Sequence, residues 1–504
     1  MSANDSIREV RLQKLARLRE LGLDPFSVER FEPGVTLRGL IDGYSAFEGR
    51  RVPCVGRIVS HRLMGKAGFA HISDGELRLQ AYFRKDDLTE AEWEAYNLLD
   101  VGDHIGLEGE MFTTKTGEKT LHVRRLVPLS KALNVLPIGK EKEGQSWYGL
   151  SDVDLRYRHR HLDLVCNAEA RHMLLMRSKI VASIRDFFAA QEYVEVETPI
   201  LQTVAGGATA TPFLTHYNAY ELDVKLRISL ELYLKRVICG DVPRVFEIGR
   251  VFRNEGVSNR HNPEFTLLEF YEAYSGLEDM MQRVEQLFRH VALEVFGGYE
   301  VHVKSETEEY KLDFSDDWRR VDLMEEIEKL SGISQNDLHD YESARKALDK
   351  AKVPYHGHKS LGGIIEKLLE HFVEPTLIEP TFVVNYPIET SPLAKKNPLD
   401  PTRTRRFEGY MRGREICNAF SEINDPIDQR ARFEGQLAQR ASGNLEAHPM
   451  DEDFLFAMES GMPPTGGCGI GIDRIVMLLL GAEVLREVLL FPTMKPDAQE
   501  NAPQ

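Results

Sequence analysis

No stretch of the 504-residue chain approaches the roughly 20 consecutive apolar residues that a membrane-spanning helix needs. Residues Met1 to Glu20 mix Arg, Lys and Glu where a secretory leader carries an apolar run. The expectation is a protein without a membrane span, in the cytoplasm. Cysteine is scarce: Cys54, Cys166, Cys239, Cys417 and Cys468 are scattered without CxxC pairing, which argues against a zinc site or a disulfide framework and leaves them as packing thiols. Positive charge is in deficit, and a net charge of −17 repels phosphate at long range, against general nucleic-acid affinity. One local exception stands out. Between Gly49 and Ala70 lie Arg50, Arg51, Arg57, Arg62 and Lys66 without a single Asp or Glu; on charge alone this is equally a solvated loop face. Internal repeats and low-complexity tracts are also missing.

What is present falls into distinct stretches. Residues 7 to 21 place Ile7, Leu12, Leu15 and Leu18 near helical spacing among Arg and Lys, and Gly22 and Pro25 end the pattern, which predicts a short basic helix. From about Arg51 to Leu129 short β-rich runs (VPCVGRIVSHRL, FAHISD, LRLQAYF, HIGLEGEMF, KTLHVRRLVPL) alternate with Gly-containing turns, the pattern of a small five-stranded OB-fold barrel. A polar linker, KEKEGQSWYGLSD, spans Lys140 to Asp152. Beyond it helices and strands follow no regular βαβ order, so an antiparallel sheet flanked by helices is expected rather than a doubly wound one. His104-Ile105-Gly106-Leu107 and Gly467-Cys468-Gly469-Ile470-Gly471 look like nucleotide-binding signatures but lack the required context: the first lies in a barrel strand, and no βαβ unit precedes the second.

Four stretches of the second half carry chemistry-bearing residues. Helix 170 to 190 presents Met173, Met176, Ile180, Ile184 and Phe187 as one apolar stripe and runs into VEVETPIL, a strand broken by Pro199. In RVFEIGRVFRNEG, alternation points Glu247, Gly249, Val251, Arg253 and Glu255 to one face; in PEFTLLEFYEAY it does so for Phe265, Leu267, Glu269 and Tyr271. Glu408 and Glu415 flank a hairpin turn at Arg412 to Arg414. Simple alternation puts Asn418, Phe420 and Glu422 on one face but Glu415 on the other, so only a β-bulge would unite them. Finally, GGCGIGIDRIVMLLL supplies a Gly-rich strand that permits close approach, followed by Asp473 and Arg474 at a helix start. Each has a plainer reading in isolation: a salt-bridged strand with a core aromatic, an edge-strand charge pattern, a capped core helix.

Together these stretches resemble the class II aminoacyl-tRNA synthetases. Helix 170 to 190 with VEVETPIL is similar to motif 1, which builds the dimer interface in that family; FRNE followed by RHNPEF is similar to motif 2, and GGCGIGIDRIVMLLL to motif 3. GREICNAFSEINDP, SPLAKKNP, GGATATPF and ELYLKR narrow the resemblance to lysyl-tRNA synthetases of bacterial type, over about Val52 to Pro492. The resemblance implies an α+β protein: an N-terminal helical extension (1–48), an OB-fold anticodon-binding domain (49–135), a linker (136–155) and a class II catalytic domain with an antiparallel β-sheet flanked by helices (156–504). It implies activation of L-lysine with ATP and Mg²⁺ and transfer to the 3′ end of tRNA(Lys), by a homodimer.

Carried over residue by residue, Arg253 and Arg474 act in catalysis and hold ATP with Glu255, His261, Asn262 and Phe265. Gly207, Glu231, Glu269, Tyr271, Asn418, Phe420 and Glu422 form the lysine pocket, Glu408 and Glu415 bind the metal, and Arg57, Phe69 and Gln80 meet the anticodon. A guanidinium fork suits a phosphate and its developing charge, and an exposed aromatic suits a stacked base. Two positions depart from the family pattern: Thr211 stands where Arg or Lys is usual, and Ser229-Leu230 replaces Ala-Pro. Aspartyl- and asparaginyl-tRNA synthetases share barrel and motifs, but Glu422 would repel an aspartate side chain. A paralogue activating a lysine-like amino acid for another acceptor, and a non-catalytic tRNA- or partner-binding paralogue, are the alternatives.

Overall fold

Five runs of alternating hydrophobicity close into a barrel, as their period-two pattern requires. The computed structural model describes residues 3–138, 140–142, 145–147, 150–259, 261–305, 307–356, 360–441 and 447–496. Parts of the expected linker, Arg260 and the last eight residues of the expected catalytic domain lie outside these. The barrel strands are β1 (Arg51–Met64), β2 (Ala67–Ser73), β3 (Arg78–Arg84), β4 (His104–Thr113) and β5 (Lys119–Ser130), in closed order β1-β2-β3-β5-β4. Inward residues such as Cys54, Ile58, Ile72, Phe83, Leu107 and Val123 are fully buried, and their neighbours in sequence face outward. The His104–Leu107 stretch is indeed the start of β4. A helix between β3 and β4, Glu90–Leu98, opens with a Thr89/Glu92 capping box.

The basic helix forms over Ala3–Glu20. Its bases do not make a free cationic face. Arg11 is buried and donates to the carbonyls of Ala132 (2.7 Å) and Asn134 (2.6 Å), Lys14 pairs with Asp100 (2.6 Å), and Arg17 pairs with Glu94 (2.6 Å). Leu15 and Leu18 are buried as the spacing predicted, whereas Ile7 is exposed.

The chain divides by contacts into Met1–Arg171 and His172–Gln504. The second unit is organised on an eight-stranded sheet. Its strands are β6 (Val194–Glu195), β7 (Arg244–Phe252), β8 (Glu264–Ala273), β9 (Arg319–Asp322), β10 (Thr381–Val384), β11 (Arg406–Met411), β12 (Arg414–Ser421) and β13 (Thr465–Gly471), in order β9-β10-β11-β12-β13-β8-β7-β6. Only the two edge pairs run parallel. One face packs on helices: Ile180, Ile184 and Phe188 of helix Ala168–Ala190 meet Phe246, Leu268 and Phe270 of the sheet, with Phe188 stacked on Phe246 at 4.8 Å. Fully burying side chains of this size contributes about 1.5–3 kcal/mol each. Helices Leu323–Ser331, Tyr341–Lys350 and Leu361–Leu368, inserted between β9 and β10, have a core of their own around Ile327, Leu348 and Leu368.

Two expected strands are shorter than their patterns. VEVETPIL keeps only Val194–Glu195 in this sheet, because the amide and hydroxyl of Thr198 turn to Glu247 (3.1 and 2.7 Å) and lead the chain off it before Pro199; Leu201 joins a separate small sheet. The strand through Arg253 ends at Phe252, where the Asn254 amide is captured by the Thr211 carbonyl at 2.7 Å.

Candidate functional site

The sheet face opposite helix Ala168–Ala190 is covered in part by helix Glu231–Cys239, whose Leu234 and Ile238 pack with Val245, Val251 and Tyr271. The same face floors a cavity of about 410 Å³ whose walls include Gly207, Glu231, Arg253, Glu255, His261, Asn262, Phe265, Glu269, Tyr271, Glu408, Glu415, Asn418, Phe420, Glu422 and Arg474. Every site residue expected in the second half is thus brought to one cavity.

The β-bulge that alternation demanded is present. β11 and β12 are joined by a two-residue turn, Arg412 (φ 53°) and Gly413 (φ 64°), whose paired left-handed conformations match the twist of the strands. Glu408 lies opposite Asn418 and Gly409 opposite Cys417, but Tyr410 lies opposite Glu415, leaving Ile416 without a partner. That one extra residue rotates Glu415 onto the face of Glu408, Asn418, Phe420 and Glu422. The glycines of β13 keep the neighbouring floor thin: a methyl group at Gly467 would collide with Glu422 Oε1 and the Tyr271 ring. At Gly207 (φ 87°) a Cβ would come within 2.8 Å of Ser229 Oγ and 3.0 Å of Glu231 Cβ.

The cavity has two chemically different ends. At one, Glu231, Glu269 and Glu422 are all buried, with Tyr271 beside them. Glu269 accepts from Ser229 Oγ (2.7 Å), the Leu230 amide (3.0 Å) and Tyr271 Oη (2.9 Å), and burial, with Glu231 adding repulsion, pushes its carboxyl up to about 7. Burial likewise raises Glu231 and takes Glu422 well above the ordinary carboxylate range. Among the described residues Glu422 Oε1 has no hydrogen-bond partner, although it is buried and can accept from a donor.

Lys235, which the sequence reading missed, lies between two of these acids. Its Nζ is ion-paired to Glu231 Oε1 and Glu422 Oε2, over the rings of Phe420 (5.3 Å) and Phe454 (5.9 Å). Its only signal was the Glu–Lys spacing of four in ELYLK, which ordinarily marks an exposed helix pair. Here helix Glu231–Cys239 turns that pair inward.

At the other end the groups are cationic and aromatic. Arg253 lies 5.0 Å above the Phe265 ring with Nε directed at the Ile228 carbonyl (3.4 Å). Arg474 lies in the first turn of helix Ile472–Leu480 and donates to Glu415 Oε2 (2.9 Å) and to the Glu415 carbonyl (3.1 Å). Its neighbour Asp473 is buried and fastens the helix start, accepting from the Thr266 amide (2.9 Å) and pairing with Arg177 (2.5 Å). His261 is held by Ser258 (2.9 Å), and Asn262 Nδ2 donates to the Glu264 carbonyl (2.7 Å). Glu408 is gripped by Arg406 (2.5 Å), Tyr386 (2.7 Å) and Tyr410 (2.6 Å), three partners that sequence did not reveal. Thr211 is not among the cavity-lining residues; Ser229 is.

On the barrel, Phe69 and Gln80 share the outer face of β2 and β3. Phe69 lies opposite Tyr82 with rings 5.1 Å apart, and Gln80 lies opposite His71. Gln80 donates to Glu118 (2.6 Å) and accepts from Thr120 (2.9 Å). Arg57 is not beside them. It pairs with Ser73, four residues or about 13 Å along β2 from Phe69, and donates to the Gly102 carbonyl (3.1 Å); the base opposite Phe69 is Arg62.

An antiparallel sheet carrying an arginine-and-carboxylate cavity, preceded in sequence by a small β-barrel, is the architecture of a class II tRNA synthetase. Residues 152–495 match the family described as tRNA synthetases class II (D, K and N), and residues 52–129 match the OB-fold nucleic acid binding domain. The chain is 46% identical over 494 residues to the lysine–tRNA ligase of Syntrophomonas wolfei, covering 98% of each chain. It is 47% identical over 493 residues to that of Listeria monocytogenes, covering 96% of this chain and 97% of the other. The lysine–tRNA ligase of Staphylococcus haemolyticus is 45% identical over 502 residues. The chain belongs to the lysine–tRNA ligase family.

Proposed function

We propose that the cavity activates L-lysine with ATP and that the activated lysine is passed to the 3′ end of tRNA(Lys). The observation that carries this reading is the composition of the acidic end: three buried carboxyl groups share one resident ammonium, leaving two short of a cation. A buried charge must be paired. Lysine brings two ammonium groups, and its carboxylate is left to reach toward Arg253.

In this reading Glu422 and Tyr271 hold the ε-ammonium, Glu231 holds the α-amino group, and Gly207, Glu269, Asn418 and Phe420 shape the wall. Arg253 receives the α-phosphate and the charge that develops on it as the lysine carboxylate attacks in line and pyrophosphate leaves. Phe265 stacks on adenine; Glu255, His261, Asn262 and Arg474 hold the nucleotide.

The acidic pair at the hairpin suits magnesium. Among the described residues no group of three or more His, Cys, Asp or Glu could hold a metal ion, so a cage made by the protein alone is not offered. Glu408 and Glu415, brought to one face by the bulge, fit the mode in which Mg²⁺ rests on one or two carboxylates and on triphosphate oxygens. Bound there, Mg²⁺ would neutralise charge on the phosphates.

On the barrel, Phe69 stacks on an anticodon base in this reading, Gln80 exchanges its Glu118 partner for a base edge, and Arg57 meets the backbone further along. Helix Ala168–Ala190, with Leu175 about half exposed, joins two copies as a homodimer, and the enzyme acts in the cytoplasm. No helix among the described residues is long and apolar enough to cross a membrane.

The test is aminoacylation of tRNA(Lys) by radiolabelled lysine, in parallel with β-lysine, ornithine and aspartate. Lysine should be preferred, with ornithine, one methylene shorter, behind by about 10- to 200-fold. Preference for β-lysine would move the substrate to a lysine-like amino acid, and no charging with any of them would reject the reading. Light scattering should give about twice the 57.4 kDa of one chain.

A further inference from the structure

Lys235 has no part in the chemistry proposed above, yet it is buried at the centre of the acidic end. It does not line the cavity: it stands behind Glu231 and Glu422, from the same helix as the first and across from the second. Burial opposes its charge, but Glu231 and Glu422 outweigh that and hold the ammonium above its ordinary range. The groups facing it are Glu231 and Cys239 on its own helix, Tyr271 from β8, Glu422 after β12, and His448 before helix Glu452–Glu459; Arg406 from β11 acts on Glu231 and Glu269 from β8 on Glu422. His448 is buried and held neutral, down to about 4, by burial and by Lys235, so it adds no charge.

We propose that Lys235 is a positioning residue that sets the substrate's charge: by neutralising one of three buried carboxylates it leaves a deficit of two positive charges, which an amino acid with two ammonium groups fills. This rests on the reading that the cavity binds lysine. Without Lys235, three carboxylates would crowd one dry space, and at neutral pH an additional proton would bind to relieve them. Lysine would then have to expel that proton on entering. With Lys235 in place the expelled protons are fewer, and Glu422 keeps one oxygen engaged while the other awaits a donor.

The consequence is read as proton release on lysine binding, by calorimetry in buffers of different ionisation enthalpy between pH 6.5 and 9, with KM and kcat from lysine-dependent ATP–pyrophosphate exchange. In the native protein, release, counted after allowance for the proton that free lysine's own α-amino group takes up towards pH 9, should be at most about one proton near pH 7 and should vanish by pH 9. Lys235→Met keeps an unbranched chain of similar length without the charge. It should release about one proton more, still visible at pH 9, and its lysine KM should rise about tenfold for each pH unit of acidification, with kcat at saturating lysine moving far less. The double variant E231Q/K235M removes one charge of each sign and should return proton release to the native count even though lysine binds more weakly.

Native-like release in K235M, or release in the double variant equal to that in K235M, overturns the proposal. Should K235M not fold, the double variant and the native titration decide: a full proton still released by the native protein at pH 9 overturns the proposal as well. Absence of lysine-dependent exchange in the native protein is a different failure, which rejects the lysine reading itself.

Discussion

The acidic end of the cavity and the outer face of the barrel both await a ligand, but they hold themselves ready in opposite ways. Glu231, Glu269 and Glu422 are buried, short of counter-charge, and pushed up in pKa by the lack of water. Gln80, His71 and Glu118 on the barrel are half-buried or exposed and are satisfied by one another and by the buried Thr120, with Phe69 left as a stacking surface. A desolvated charge discriminates strongly because the wrong ligand leaves it unpaired, a penalty of about 3–5 kcal/mol. A wet surface gains about 1–3 kcal/mol per stacked base and discriminates by summing several such contacts. Under the proposed function, amino-acid selection rests on single residues in the cavity, and nucleic-acid selection on a distributed surface.

The comparison predicts an order of mutational effects. Arg253→Ala should have the largest, lowering lysine-dependent pyrophosphate exchange by at least about 10²–10³-fold, the loss of one preorganised stabiliser of developing charge; near-normal exchange would remove Arg253 from its role. Glu422→Gln should lower kcat/KM for lysine by about 10²–10³-fold, corresponding to breaking a buried charge pair, while tRNA binding measured by filter retention stays as it was. On the barrel, Phe69→Ala should raise the KM for tRNA by about 5- to 150-fold and leave exchange measured without tRNA unchanged. A fall in that exchange would mean the two regions are not the separate devices described. Arg62→Gln should produce the smallest effect, a weaker binding most evident at low salt, with the salt dependence of tRNA affinity reduced by about one unit of slope.

The acidic end also makes a prediction about pH. Glu269 has its ordinary value of 4.5 in the unfolded chain and about 7 in the folded one. Its folded-state pKa is raised, so the ligand-free protein binds this proton more tightly than the unfolded chain does. The associated stability is full below about 4.5 and is lost as pH rises through 7. A lysine ammonium reverses the preference, favouring the ionised carboxylate. The rise in Tm on adding lysine should therefore be larger at pH 8 than at pH 6, and the lysine KM should increase as pH falls below 7. A Tm rise equal at both values would place Glu269 outside the lysine pocket.

How legible this was in the sequence differs between the same two regions. The barrel was readable almost strand by strand, because a half-buried strand alternates with period two and Gly marks its turns. The cavity was readable in its residues but not in its wiring. Alternation alone separated Glu415 from Glu422, and the bulge at Ile416, which unites them, depends on the pairing between β11 and β12, a tertiary fact. Lys235 was invisible for the same kind of reason: a Glu–Lys pair four apart reads as solvent-facing until neighbouring elements bury it. Arg57 illustrates the converse. Motif position placed it with Phe69 and Gln80, whereas strand register sets it about 13 Å away, with Arg62 opposite Phe69.

The most direct test of the central claim, that two desolvated carboxyl groups short of a cation select the amino acid, is pyrophosphate exchange by the native protein with lysine and with norleucine, which replaces the side-chain ammonium by a methyl group. A lysine preference of about 10²–10³-fold or more in kcat/KM is predicted, since norleucine would leave the desolvated Glu422 Oε1 without a donor. A ratio of about tenfold or less would show that shape rather than charge makes the choice, and would contradict the account.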